Sequence, residues 1–267
     1  MIVLLDDDTV PTSNAEVLAD IAAALETIAL GVVQWGAATS TGLRRAINED
    51  VWGHRENVFT VADGMGGRGG GAVAARIATD RFLDAAVAVP RRATWHDIVV
   101  AVSDEVSRAG EAQAMARLGT TLLAAVVEGS MVTLVHLGDG RAYRGNDSGR
   151  LEVLTQDHDV RSELLAAGLD AREYRERGVA LHGLTSFIGL PFDVLRVDVI
   201  AVPVRAGDRL LLCTDGVHRH VEEAHLRTAM GSISCQQAAD RLVAAADDTG
   251  GRDNATAVLF EIGAVAQ

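Results

Sequence analysis

The chain has 267 residues, 48% of them apolar, and a formal net charge of −13, a globular balance that is neither disordered nor fibrous. Every basic residue is arginine, and the missing lysine excludes a P-loop, a protein kinase and a pyridoxal enzyme, each of which needs one. The acidic excess argues against a nucleic-acid or anionic-membrane surface, and two cysteines, Cys213 and Cys235, argue against a disulfide framework and for a reducing compartment.

The chain opens with MIVLLDDD, which lacks the positive flank of a signal peptide. No apolar run reaches the roughly 18–20 residues of a membrane span, so a cytoplasmic location is expected. Ser13 and Glu16 fit a capping box. Leu18, Ile21, Leu25 and Ile28 then recur at helical spacing up to Gly31, so residues 1–31 are expected to form a helical extension and residues 32–267 the main domain. The pattern next changes to short strands at 32–37, 51–54 and 58–62. Ala-rich helical stretches follow at 71–89 and 95–116, the second opened by Thr94 and Asp97. Strands are expected at 120–127, 131–137, 142–144 and 151–155, then an irregular stretch at 156–192. Strands at 194–202 and 209–214, helices at 222–230 and 236–247 and a last strand at 255–262 complete the pattern. Helix follows helix and strand follows strand, which favours an α+β protein with mostly antiparallel sheets covered by helices.

Asp50, Asp63, Asp139, Asp215 and Asp253 share one context, each beside an apolar strand run and most with a glycine next to them. A single Asp-Gly pair is more readily a turn than a ligand. Five such positions are different: if the strands lie side by side, their ends gather carboxylates that repel one another unless a cation neutralises them. A donor set of oxygens alone favours Mg²⁺ or Mn²⁺ over zinc, and a pair of such ions can hold a water and a phosphoryl oxygen for in-line displacement. Gly64, Gly66 and Gly69 match the dinucleotide fingerprint G-x-G-x-x-G. Asp63 would set a negative charge against a pyrophosphate, however, and no strand follows the helix, so the glycines are read as letting the backbone wrap a metal site. His218, His220 and His225 lack zinc spacing and are expected in a solvated loop and helix start, and there is no G-x-S-x-G elbow.

The segments RAINED (45–50), VADGMGG (61–67), LGTTL (118–122), HLGDGR (136–141), LTQDH (154–158), LLCTDGV (211–217) and RDNAT (252–256) resemble, in order and spacing, the motifs of the metal-dependent protein phosphatases of type 2C, bacterial branch. The resemblance runs from about residue 34 to 262. It implies a four-layer α-β-β-α sandwich, with two mostly antiparallel sheets flanked by helices, and hydrolysis of phosphoserine or phosphothreonine by a metal-activated water at a binuclear Mn²⁺ or Mg²⁺ centre. By motif match, Asp63 would bridge both ions and the Gly64 carbonyl would bind one. Asp215 and Asp253 would hold the other. Glu49 and Asp50 would act through metal-bound waters, and Asp139 with Asp215 would hold a third, weaker ion. Arg45 would bind the substrate phosphate, and residues 159–190 would form a variable flap. The implied partners are phosphoproteins, substrates of bacterial serine/threonine kinases.

Three positions depart from the family pattern. Gly140 stands where serine is usual, which is expected to loosen the loop of Asp139. Arg68 replaces a histidine, and Met65 leaves the general acid unassigned. Two competing readings stay open from the residues alone. One is a related phosphatase acting on a partner-switch regulator. The other is an inactive phosphopeptide-binding module, against which Asp63, Asp215, Asp253 and Arg45 all stand intact.

Overall fold

The computed structural model describes residues 29–66, 69–88, 93–112, 118–146, 148–231 and 233–265. Among the described residues eleven strands are formed: β1 Leu30–Ser40, β2 Asp50–Arg55, β3 Val58–Met65, β4 Gly119–Thr120, β5 Leu122–Glu128, β6 Met131–Leu137, β7 Arg141–Gly145, β8 Leu151–Val153, β9 Asp198–Pro203, β10 Arg209–Cys213 and β11 Ala255–Ala264. The helices are α1 Gly70–Ala86, α2 Trp95–Ala112, α3 Val160–Ala166, α4 Ala171–Glu176, α5 Asp215–His218, α6 Glu223–Ala229 and α7 Cys235–Asp248. One sheet runs β1-β11-β10-β7-β8 and the other β2-β3-β5-β6-β9, with β4 paired to β3. All of these strand pairs are antiparallel.

Strand periodicity explains the four layers. In β5, Leu123, Ala125 and Val127 face the other sheet, whereas Leu122, Ala124 and Val126 face helices α1 and α2. In β10, Leu210 and Leu212 point into the space between the sheets, and Leu211 and Cys213 point toward α7. Strands covered on both faces must be apolar throughout, which is why these two read as unbroken hydrophobic runs rather than alternating ones. The Phe59 and Phe260 rings stack across the inter-sheet space with centroids 4.6 Å apart.

The element order agrees with the sequence reading, with differences at the ends. Leu30 and Gly31, expected to end a helix, begin β1 and pair with Ala264 and Gly263. The rest of the expected helix lies outside the described residues. The strand expected at 120–127 breaks at Thr121, which leaves the ladder to bond the Asp63 backbone. The strand expected from 194 starts at Asp198, because residues 192–194 form a 3₁₀ turn after Pro191. The irregular 156–192 stretch holds two short helices, each capped by an aspartate, Asp159 and Asp170. Thr94 and Asp97 form the expected reciprocal cap: the Asp97 amide donates to Thr94 Oγ1 at 3.1 Å and the Thr94 amide to the Asp97 carboxylate at 3.2 Å.

The start of α1 packs directly on the end of β3. A Cβ on Gly64 would run into the Gly71 carbonyl, and one on Gly71 into the Gly64 backbone. The glycines therefore serve close approach of two backbones. Gly71→Ala is expected to cost about 1–3 kcal/mol through overpacking, read as a lower melting temperature of the metal-free protein; an unchanged melt would contradict this contact.

Candidate metal centre

Sheet register gathers the acidic residues at one end of the sandwich. The C-terminal end of β10, at Cys213, pairs with Arg141 at the start of β7 and with Ala257 near the start of β11. Asp139 just precedes β7, Asp253 just precedes β11, and Asp215 opens α5 directly after β10. In the other sheet Asp50 lies opposite Asp63. Strand ends thus bring all five aspartates to one rim.

Asp50 ties the sheets together there. Its Oδ2 accepts hydrogen bonds from Thr214 Oγ1 at 2.9 Å and Thr256 Oγ1 at 2.7 Å, across the sandwich. Burial raises its pKa to about 7 against those two bonds, and the charges of Asp215 and Asp253 add to the rise. Its Oδ1 is buried without a hydrogen-bond partner. The Asp63 backbone is fixed on both sides: its amide donates to Thr121 Oγ1 at 2.9 Å, and its carbonyl accepts from the Thr121 amide and from Thr120 Oγ1. Desolvation pushes the Asp63 carboxyl well above the usual range, reinforced by Asp50, Asp215, Asp139 and Asp253. The Asp215 carboxyl is also raised, by burial first. Arg219 opposes that rise, Asp253 adds to it, and a hydrogen bond shared with Asp63 lowers it. Asp215 Oδ1 is a second buried oxygen without a partner. Unpartnered, crowded carboxylate oxygens with no sulfur or imidazole among them are the donor set of a hard divalent cation, so these residues fit a pair of Mn²⁺ or Mg²⁺ ions.

The remaining expected site residues divide. Arg45 reaches the rim and donates to Asp253 Oδ2 at 2.7 Å, with about half of its side chain exposed. Gly64 follows Asp63 on β3, opposite Thr120. Glu49 lies close by, but its Oε1 accepts from the Gly71 amide at 3.0 Å, so its carboxylate serves the α1 N-terminus. Asp139 is 5% exposed and held firmly, with His218 Nε2 2.8 Å from its carbonyl oxygen and Arg219 donating to its carboxylate at 2.6 Å. Arg68 lies outside the described residues. His218 is buried rather than solvated, and desolvation lowers its pKa to about 4. His220 turns back toward the Gly216 carbonyl, and His225 lies exposed on α6.

Sequence reasoning missed several supporting residues. Thr214 and Thr256 sit beside the aspartates in T-D-G and N-A-T, where a hydroxyl next to a ligand signals a positioning bond. Asn254 accepts from the Glu49 amide and donates to the Thr41 and Ile47 carbonyls, so it shapes the loop that carries Arg45. Arg219, four residues after Asp215, is legible only once 215–218 is known to be helical. His136, His158 and Asp198 also gather, with potential ligand atoms within 4.8 Å. The His158 ring is already used on both sides, by Asp198 and the Gly138 amide, which marks a core network.

Comparison with known proteins agrees with this architecture. The family profile described as Protein phosphatase 2C matches residues 44–249. The serine/threonine phosphatase stp of Listeria innocua is 34% identical over 242 residues, covering 84% of this chain and 93% of that one. The serine/threonine protein phosphatase PstP of Mycobacterium tuberculosis is 31% identical over 244 residues, covering 86% of this chain and 45% of that one. The crystal structure of the PstP catalytic domain in complex with two manganese ions has a TM-score of 0.76 at 28% identity, covering 89% of this chain and all of that one. The phosphatase MsPP of Mycobacterium smegmatis, in complex with cacodylate, has a TM-score of 0.72 at 32% identity, covering 86% of this chain and 99% of that one. The shared fold and the extent of the match leave one conclusion: the chain belongs to the protein phosphatase 2C family of metal-dependent phosphatases.

Proposed function

We propose that this chain is a serine/threonine protein phosphatase that hydrolyses phosphoserine and phosphothreonine in proteins, opposing bacterial serine/threonine kinases in the cytoplasm. The convergence of Asp63, Asp215 and Asp253 from both sheets onto one rim, with buried oxygens of Asp50 and Asp215 left without a partner, supports this reading most directly. No helix among the described residues is long and apolar enough to cross a membrane.

Asp63, Asp215 and Asp253 are the residues assigned to hold two Mn²⁺ or Mg²⁺ ions, with the Gly64 carbonyl beside them. Bound there, the ions supply an activated water and neutralise the phosphoryl oxygens, so no phosphoenzyme is needed. The chain's own part is to hold the carboxylates in place. Thr120 and Thr121 fix the Asp63 backbone, and Thr214 and Thr256 orient Asp50 at the seam between the sheets. A carboxylate that ligates a cation must be ionised, so the raised carboxyls of Asp63 and Asp215 would give up protons on holding one. Arg45 pairs with Asp253. Arg45, half exposed at this rim, is assigned to grip two phosphoryl oxygens with its planar fork, and Asp253 would hold a cation beside it. His218 stays neutral near pH 7, since its pKa lies at about 4, and its Nε2 faces the Asp139 carbonyl; it is assigned to positioning.

A p-nitrophenyl phosphate and phosphopeptide assay with Mn²⁺ tests the reading, which predicts hydrolysis abolished by chelator. Full activity in metal-free protein would overturn it. Asp63→Asn is expected to abolish hydrolysis and flatten the rise of melting temperature with Mn²⁺. In the metal-free protein the same change is neutral or stabilising, on the order of 1 kcal/mol, because it removes one of several crowded like charges.

The raised carboxyls also set a pH dependence. Asp50, Asp63, Asp139 and Asp215 all titrate above the unfolded value. The native state therefore holds more protons than the unfolded chain from about pH 4, the unfolded carboxylate value, up to about 7. Stability of the metal-free protein is expected to fall as pH rises through that window, and added Mn²⁺ to remove most of the fall. Melts across the window with chelator and with Mn²⁺ measure it. Arg45→Ala is expected to lower kcat/KM for a phosphopeptide about ten- to a hundredfold, the loss of a charge-assisted contact of roughly 1.5–3 kcal/mol, with Mn²⁺ affinity nearly unchanged; unchanged kinetics would make Arg45 a surface residue.

A further inference from the structure

The family resemblance implies a third, weaker cation between Asp139 and Asp215, and the residues present do not fit one. The space between those carboxylates is taken by Arg219. Its Nη2 donates to Asp139 Oδ2 at 2.6 Å, and its Nη1 lies 2.9 Å from Asp215 Oδ2. Asp159 Oδ2 stands 4.0 Å from the same guanidinium. One arginine thus faces three carboxylates, one from the loop before β7, one at the start of α5 and one at the cap of α3.

We propose that Arg219 is a built-in cation that replaces the third metal ion, leaving this phosphatase with two metal sites. The inference rests on the reading of Asp63, Asp215 and Asp253 as the metal centre. Three features of the geometry carry it. Arg219 follows Asp215 by four residues, and its amide donates to the Asp215 carbonyl at 3.0 Å, so the α5 turn holds both side chains on one face. The neighbouring His218 ring binds the Asp139 carbonyl, so the same short segment grips Asp139 at backbone and side chain. The guanidinium is only about a quarter exposed, and its planar fork meets an oxygen of each carboxylate at charge-assisted distance. An ion entering between Asp139 and Asp215 would have to break both contacts. A tethered guanidinium also neutralises the pair at any metal concentration, whereas a weakly held ion does so only when metal is abundant. Hydrolysis is then expected to saturate once two ions are bound.

The test is a Mn²⁺ titration of the full chain, with free Mn²⁺ followed by electron paramagnetic resonance, alongside melts of the metal-free protein. Wild type is expected to bind two ions and Arg219→Ala three. Arg219→Lys, which keeps a tethered cation, stays at two. Arg219→Ala with Asp139→Asn returns to two, because the new site loses a ligand. Metal-free Arg219→Ala should melt below wild type, since Asp139 and Asp215 lose their counter-charge. Arg219→Gln serves in its place if the alanine variant does not fold. Three ions in wild type, or two in both wild type and the folded neutral variants, would overturn the replacement. A wild type that binds no Mn²⁺ would overturn the metal centre itself, and this inference with it.

Discussion

Crowding of like charge at the rim of the sandwich is the constraint on which the rest of this structure depends. Five aspartates from the two sheets meet where the strands end, and four of them are pushed upward in pKa by burial and mutual repulsion. Such an arrangement is unfavourable by itself. It persists because the surrounding frame over-determines it. Antiparallel register fixes β10 against β7 and β11, the apolar space between the sheets locks both sheets face to face, and Asp50 bridges them through two threonine hydroxyls.

The strain is relieved in part by cations that belong to the chain. Arg45 attends Asp253, and Arg219 attends Asp139 and Asp215. The two arginines differ in burial, and the difference sets their roles. Arg45 is half exposed and makes a single contact, which water and salt weaken; it can change partner. Arg219 is largely covered and bridges two carboxylates, which keeps it in place. A protein without lysine thus sets planar guanidinium groups against its crowded carboxylates, one half exposed and one largely covered.

Backbone contacts carry the remaining precision of the site. The close approach of Gly64 and Gly71 lets α1 start against β3, and Glu49 binds an amide at that helix start. Asn254 joins the segment before β11 to the loop between β1 and β2. The Asn254 bonds span more than two hundred residues of sequence, and together these contacts hold Arg45 and Asp63 relative to Asp253.

How much of this was legible in the chain follows from the range of the forces involved. Strand and helix order could be read because hydrophobic periodicity is local, and β5 and β10 announced burial on both faces by their unbroken apolar runs. The aspartates could be read because each follows or precedes such a run beside a turn. Their convergence was implied by the motif resemblance, but the bonds that fix it could not be read, since they depend on register between strands more than a hundred residues apart, such as Asp50 with Thr214 and Thr256. Nor could the course of residues 215–219, where a four-residue helix turns Arg219 back onto Asp215 and buries His218, because so short a helix has no periodicity to detect. The sequence by itself determined the layered α+β class and the oxygen-only chemistry of the site. Only the tertiary structure decided that Glu49 serves a helix end and that Asp139 is paired with an arginine, because both depend on which charges come within hydrogen-bond reach once the two sheets close.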